Sequence, residues 1–555
     1  MKARAYKLMK EWCDTLLSYQ IKTATPYTSG ALLCPACHVL HGRCADLCFP
    51  LTVIWSKTND EKYLERADEL IDWSEFNLKT PDSLWYNDIT NRWYATSAFS
   101  AMSIGEALYH FGDKLPKKYK NKWLSIFTRM ADVFSTLDTR DSFKPVTNYY
   151  CGISALLAMA TKITGDDKYV KKSKYWLDVA LSRIDSEGLL YGEGYPVEAS
   201  DGSHTVDMGY DLEESIPLLL RYSSLTGDRP EFFRKMLRDH LEFLLPDGAI
   251  DNSFGVRHNK WTYWGSRTSD GLIEGLALVL DDAVFATACE KALTLYERCT
   301  QNGLLSMPMA SEFGEPTCLH HTFTHAKALA ALICSKIDVK GTDARLPCEE
   351  KYGIKKYQNE KLVLVSHGVF RATFSASLGG YIQSYNANAG GSMNLLYHDK
   401  YGIICAATTA EYIPTEQLNQ QYLRNSECPP SMTPMFFVKD KQACYDKTAS
   451  LFAENENVIA TGDGWSAEYI FSSDCLRIEL KCESGIYSIP IVCSKNQQAF
   501  LSEDGKTLSI ENEISIFSST PFTVDTEKRI FHQVGGLSYL PVSISVKEKA
   551  TILIK

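Results

Sequence analysis

Through the first 340 or so residues, apolar positions recur at three- and four-residue intervals, the period of helices with one buried face. In KYLERADELIDW, Leu64, Ala67, Leu70 and Ile71 share such a face, and YVKKSKYWLDVALSRI repeats the arrangement. The two stretches also share a lead-in, TNDEKYLERADELIDW at 58–73 and TGDDKYVKKSKYWLDV at 164–179. TGDRPEFFRKMLRDHLEFL at 226–244 is a third version. Each reads as a helix end, a Thr-Asn/Gly-Asp turn, and an Asp able to cap the next helix. This is a degenerate helical-hairpin repeat. About twelve helices fit between residues 3 and 336, and hairpins in that number stack as an open solenoid or close into an (α/α) toroid. The connecting loops favour the toroid. YGEGYPVEASDGSHTVDMGY (191–210) and DNSFGVRHNKWTYWGSRTSDG (251–271) are long, aromatic and rich in His, Arg and Asp. Loops of that kind, gathered at one end of a ring, build a cleft, whereas a solenoid has short uniform turns.

After about residue 355 the period falls to two. KLVLVSHGVFRATFSAS, YIQSYNA, YGIICAAT, SAEYIFSS, LRIELKCE, YSIPIVCS, TLSIENEISIFSS and LPVSISVKEKATILIK read as strands between Gly, Asn, Ser and Asp turns. The expectation is an α+β multidomain chain. Residues 1–340 form an (α/α) toroid, 335–353 a linker, and 355–555 an antiparallel β-sandwich.

Composition narrows the function classes. The 555 residues carry a formal net charge of -10 with no Lys/Arg-rich run, which argues against a nucleic-acid partner. An acidic glycan remains possible through locally placed cations. Charges interrupt the first twenty residues, so no secretory leader is read there, and no apolar run is long enough to span a membrane. The seventeen cysteines are scattered and odd in number, which points to buried thiols in a reducing compartment. The reading is cytoplasmic, or periplasmic if a leader has been removed. Nothing in the sequence reports the oligomeric state.

Three short motifs resemble the heparinase II/III type of (α/α)-toroid polysaccharide lyase. DGSHTVDMGYD (201–211) is similar to an Asp-Gly…Tyr-His segment whose tyrosine exchanges protons with the substrate, and that tyrosine maps onto Tyr210, with Asp211 in place of His. TNYYCGISALLAMA (147–160) is similar to an Asn-His helix start whose Asn grips the uronate carboxyl group. It maps onto Asn148, with Tyr149 in place of His. CPACHVLHGRCADLCFPL looks like a segment of the same group. The His-Ala-His segment of many such enzymes is absent, which leaves the histidine partner open between His204 and His41. Within the group the nearest likeness is an exo-acting rhamnosyl-glucuronate lyase. The resemblance implies β-elimination at a glucuronic-acid-containing glycan, with release of terminal rhamnose from a rhamnose-α-1,4-glucuronate linkage.

That chemistry explains the residue types. The C5 proton of a uronic acid leaves only if the adjacent carboxylate is neutralised by Asn, Arg or protonated His. A base takes the C5 proton and an acid protonates the departing O4. No metal or organic cofactor is required. Tyr210, His204, His41 and Asn148 are the candidate catalytic residues. Arg43, Tyr149, Glu193, Trp264, Arg267 and His321 are the candidate substrate contacts. Each has a plainer alternative: Asn148 as a helix cap, Glu193 as an orienting or capping group, Arg267 over an aromatic edge. His321 and His325 sit four apart, a spacing that can hold metal, but His-Glu-x-x-His is not present.

CPACHVLHGRCADLC (34–48) admits three readings. Cys34, Cys37, Cys44 and Cys48, with His38 or His41 as substitutes, could hold a structural zinc. A disulfide is a second possibility. Alternatively, Cys44 and Cys48 face the core of an incoming helix while His41 and Arg43 project into the cleft. Two rivals to the lyase also stand. A glycoside hydrolase on the same scaffold would use two of Glu193, Asp201, Asp207 and Glu312. A glycan-binding protein would use none catalytically.

Overall fold

The computed structural model describes residues 1–138, 146–380, 390–408, 431–438, 441–442, 446, 448–511 and 513–555. The expected strand at 381–387 lies outside them.

Among the described residues, twelve helices make the ring: α1 (Lys2–Ser18), α2 (Cys48–Thr58), α3 (Lys62–Asn77), α4 (Ser97–Phe111), α5 (Lys117–Thr136), α6 (Thr147–Thr164), α7 (Val170–Leu181), α8 (Ile216–Thr226), α9 (Pro230–His240), α10 (Leu272–Leu276), α11 (Ala283–Cys299) and α12 (Leu319–Cys334). The even-numbered helices form an inner ring. α2 packs on α4, α4 on α6, α6 on α8, α8 on α10, α10 on α12, and α12 back on α2. Odd-numbered helices lie outside, and α1 closes the circle against α12.

Side-chain patterning assigns the two rings. Inner helices are buried all round: every residue of α4 from Ser97 to Leu108 is buried, as is every residue of α6 from Thr147 to Ala160. Outer helices bury one stripe, such as Tyr119, Trp123, Ile126, Phe127, Met130 and Phe134 in α5, and leave Lys and Glu in water. The expected toroid is therefore the architecture found.

The repeat read from the sequence is the inner-to-outer turn. Asn59, Gly165 and Gly227 end α2, α6 and α8 in the left-handed conformation, with φ of 58°, 71° and 78°. The Thr58, Thr164 and Thr226 hydroxyls accept from the backbone N–H of Asp60, Asp166 and Asp228 at 3.2–3.3 Å. Short inner-to-outer turns of three to six residues alternate with the long segments 19–47, 78–96, 182–207, 241–271 and 300–318, which all run from outer to inner helices. They collect where six inner helices begin. The positive ends of the inner helices thus face the side of the long loops, an arrangement suited to an anionic ligand.

A five-stranded antiparallel meander, Gly353–Tyr357, Leu362–His367, Phe370–Ser375, Ser392–His398 and Gly402–Ala406, lies against the toroid. Leu362 and Leu364 join the toroid core, and Val363 and Val365 join the core shared with the outer sheet. Two buried faces explain the unbroken apolar run LVLV. The outer sheet is built on two long antiparallel strands, Leu476–Ser488 and Val542–Ile554, with a bulge at Cys482/Ser484. Its strand Trp465–Phe471 alternates buried and half-buried residues, as a sheet with one wet face should.

Candidate functional site

The helix that becomes α8 opens irregularly. Asp207 caps Met208–Tyr210, its carboxylate accepting from Tyr210 N–H at 3.1 Å, and Asp211–Ser215 then winds as a π-turn. Such turns occur frequently at functional sites because they aim side chains that a regular helix would not. Here the turn puts Asp211, Glu213 and Glu214 inside the ring, all 2% exposed or less. Facing them are Arg43, Arg257, Lys260, Arg267 and Lys327, also buried. Ionic groups are seldom buried unless paired, and each costs several kcal/mol to desolvate. A stable core needs none of them, so their concentration marks the site.

Tyr210 lies at its centre. Its hydroxyl is 2.6 Å from Thr268 Oγ1, and Lys260 Nζ donates to it at 3.4 Å. The Arg257 guanidinium covers the ring face at 4.1 Å. Arg257 Nε donates to Glu193 O at 3.0 Å, and its Nη2 is 3.3 Å from Glu193 Oε2. Glu193 Oε1 in turn accepts from Asn148 N–H at 2.7 Å, capping α6 from another loop. Asn148 therefore does not cap its own helix. Its Nδ2 donates to Glu214 Oε2 at 2.6 Å, and its Oδ1 is buried with no hydrogen-bond partner among the described residues.

Tyr149 receives the Trp93 indole N–H at 2.7 Å. Trp93 is only partly buried and packs on Tyr94, which leaves an aromatic surface beside Asn148. The sequence reading missed Trp93, along with Arg257, Lys260 and Thr268. The last three lie in the 251–271 loop that its length and chemistry had singled out.

Other candidates are committed elsewhere. Arg43 pairs with Asp46 at 2.7 Å and Asp270 at 2.9 Å and donates to Thr268 O at 3.3 Å. Lys327 neutralises the same two carboxylates. As placed, Arg43 is not a carboxylate clamp; it braces the segment that carries Thr268. Arg267 donates to the Asn259 and Lys260 carbonyls and so fixes the turn bearing Lys260. Trp264 is 1% exposed, its N–H on Ser306 O and its ring against His321 and His325, so it is a wall rather than an open stacking platform. Gly265 lets this segment pass Glu213: a Cβ there would lie 2.1 Å from the carboxylate.

His204 is stacked on Tyr191 at 3.9 Å, with Nδ1 3.3 Å from Glu360 and 3.6 Å from Asp185, at the seam with the β-domain. His41 meets Cys318 Sγ at 3.4 Å. His204 is held by Tyr191, Glu360 and Asp185 and His41 by Cys318, so the pairing with Tyr210 expected of one of them is not formed in this geometry. His320 and His321 open α12. Burial, and then the neighbouring Arg43 charge, hold His320 well below the usual imidazole range. It is neutral at pH 7, and its Nε2 has no partner among the described residues. His321 is likewise neutral, depressed by burial and then by Arg267. Cys44 and Cys48 are fully buried core residues, and burial pushes the Cys44 thiol up to about 12.

Of the carboxylates offered for hydrolysis, Glu193 and Asp207 both engage Arg257, whereas Asp201 and Glu312 are held by partners of their own outside this cluster. Asp207 is taken by Asn252 and by Tyr210 and Arg257 N–H, Asp201 by Ser203 and Lys361, and Glu312 by Ser494 and Lys495.

Burial lifts Glu193 to about 7 and Glu214 to about 8. Both values lie above the unfolded carboxyl value near 4.5, so the fold holds protons that the unfolded chain has lost. Their contribution to stability is complete below about pH 4.5 and is lost as pH rises towards 7 and 8, on the order of a few kcal/mol. Glu214→Gln keeps an acceptor for Asn148 and cannot ionise. It should narrow the gap in Tm between about pH 5 and pH 8.5 relative to the unsubstituted protein. An unchanged gap in thermal melts at the two pH values would show that the Glu214 carboxyl is already ionised.

Residues 9–350 match the family model described as Ulvan lyase N-terminal domain, and residues 354–457 match Ulvan lyase C-terminal domain. A broad-specificity ulvan lyase of Formosa agariphila is 32% identical, over 97% of this chain and 91% of its own length. In fold, the chain is similar to the crystal structure of heparinase III, with a TM-score of 0.55 at 12% identity, covering 91% of this chain and 75% of that one. The likeness to heparinase-type toroid lyases expected from the three motifs is borne out.

Proposed function

The chain belongs to the ulvan lyase family and is a polysaccharide lyase, and from that premise we propose that it eliminates across glucuronate in an ulvan-type polymer, with Tyr210 moving the proton. Ulvan contains both glucuronic acid and rhamnose, so the rhamnose-α-1,4-glucuronate linkage read from the motifs is retained as the bond cleaved. What supports this reading is the placement of Tyr210, a phenol held between Lys260 and Arg257 inside the ring.

Asn148 is the carboxylate holder, its amide beside a Glu214 that stays protonated near neutral pH and repels no anion. Neutralising the uronate carboxylate makes the C5 proton removable. Tyr210, whose phenolate Lys260 and Arg257 are placed to stabilise, takes that proton. The C5–H electron pair becomes the C4–C5 double bond and the C4–O4 bond breaks. The proton now on Tyr210 passes to O4, which restores the phenolate. On glucuronate, H5 and O4 lie gauche to each other, so one group serves both steps.

The test is product chemistry. With ulvan, the protein should generate ultraviolet absorbance from the conjugated double bond, and each new non-reducing end should be one water lighter than a hydrolysis product. Chain shortening with no absorbance would sink the elimination reading. Trp93 is the proposed sugar-stacking surface. Stacking contacts of this kind are worth about 1–2 kcal/mol, so Trp93→Ala should raise KM about 5- to 30-fold and leave kcat within about twofold. An unchanged KM in initial-rate measurements would remove Trp93 from the substrate path.

A further inference from the structure

Cys34 and Cys37, from the loop after α1, meet His41 of the same loop and Cys318, the residue that caps α12. Cys34 and Cys318 are separated by 284 positions in the chain, yet their sulfurs are 3.8 Å apart. Cys37 Sγ is 3.4 Å from Cys318 Sγ, and His41 Nε2 is 3.4 Å from the same sulfur. One ligand atom from each of the four residues lies within 4.8 Å of all the others. Cys37 N–H points at Cys34 Sγ at 3.4 Å.

These separations match the edges of a small tetrahedron. With Zn–S about 2.3 Å and Zn–N about 2.0–2.1 Å, tetrahedral geometry requires S···S near about 3.7 Å and S···N near about 3.5 Å. A disulfide needs sulfurs about 2.05 Å apart, far shorter than any pair here. Thiols alone are weak hydrogen-bond donors and give no reason for three of them and an imidazole to converge. From this geometry we propose that Cys34, Cys37, His41 and Cys318 bind one zinc ion as a closed Cys3His structural site.

Ligand chemistry selects the metal. Three soft thiolates and an imidazole favour zinc over the oxygen-seeking magnesium or calcium, and four protein ligands leave no open coordination position for catalysis. Place in the fold supplies the purpose. The ring is closed where α12 meets α2, and nothing covalent joins the first and last hairpins. A metal bound from the α1–α2 loop and the cap of α12 staples that seam and constrains a long loop in the unfolded chain. It also fixes the start of α12, next to His320. This assignment divides the opening Cys/His motif differently from its spacing. Cys34 and Cys37 are ligands with a distant third cysteine, while Cys44 and Cys48 belong to the core.

Total metal in the full-length protein, grown with added zinc and purified under reducing conditions, should be about one zinc per chain. Cys318→Ser should fall at least about fivefold, and the Cys44→Ser/Cys48→Ser double variant should retain its zinc. If Cys318→Ser does not fold, the unsubstituted protein decides alone. Exchange with cobalt(II) should give the intense visible bands of a tetrahedral site and a thiolate-to-cobalt charge-transfer band. Less than about 0.1 zinc per chain, an octahedral cobalt spectrum, zinc lost from the Cys44/Cys48 variant but kept by Cys318→Ser, or a Cys34–Cys318 or Cys37–Cys318 disulfide in alkylated peptides would each overturn the site.

Discussion

Tyr210→Phe should lower kcat on ulvan by about 10³-fold or more while KM stays within a few-fold. Only the hydroxyl is removed. The ring keeps its contact with the Arg257 guanidinium, and the Thr268 hydroxyl loses one partner at a cost of about 1 kcal/mol. A near-normal Tm with almost no turnover therefore separates a chemical role from a structural one. Steady-state rates from ultraviolet absorbance, alongside thermal melts, provide both readings. If the variant turns over within about tenfold of the unsubstituted protein, Tyr210 does not carry the proton.

Lys260→Met is the second large effect. The ammonium is 3.4 Å from the Tyr210 hydroxyl in a buried setting. At an effective dielectric near 20, a charge pair at this distance is worth about 5 kcal/mol, an upper bound once relaxation is allowed. A loss of about 10²- to 10³-fold in kcat is the expected share, because the interaction strengthens only when the phenol is ionised. Met preserves the stem's packing. A loss confined to KM would instead mean that Lys260 holds the ground-state carboxylate.

Much of the architecture was legible because helix period, turn chemistry and strand alternation are local. The Thr-Asn/Gly-Asp turns at 58–60, 164–166 and 226–228 marked hairpins correctly, and the length of the 191–210 and 251–271 loops pointed to one functional end. The division into inner and outer rings follows from which helices lack a polar face, and could have been read from the all-apolar character of ALLAMA in α6. What linear reading could not supply is pairing across the ring. Arg43 looked like a carboxylate clamp until Asp46 and Asp270 occupied it. His41 looked like a proton carrier until Cys318 met it. Trp264 looked like a platform until its N–H was found on Ser306 O. In each case the deciding neighbour is distant in sequence or turned inward by a fold that spacing does not encode. Arg257 and Lys260 were passed over for the converse reason: a basic residue in a polar loop reads as solvated, and only the closed ring buries it.

The claim on which the rest depends is that a uronate sits with its carboxylate on Asn148 and its C5 hydrogen at Tyr210. A crystal structure of the Tyr210→Phe variant with an ulvan oligosaccharide tests it most directly. The sugar carboxylate is expected within hydrogen-bond reach of Asn148 Nδ2, and C5 within about 4 Å of the ring edge that carried the hydroxyl. An oligosaccharide bound elsewhere on the protein, with residue 210 still enclosed by Arg257 and Thr268, would contradict it.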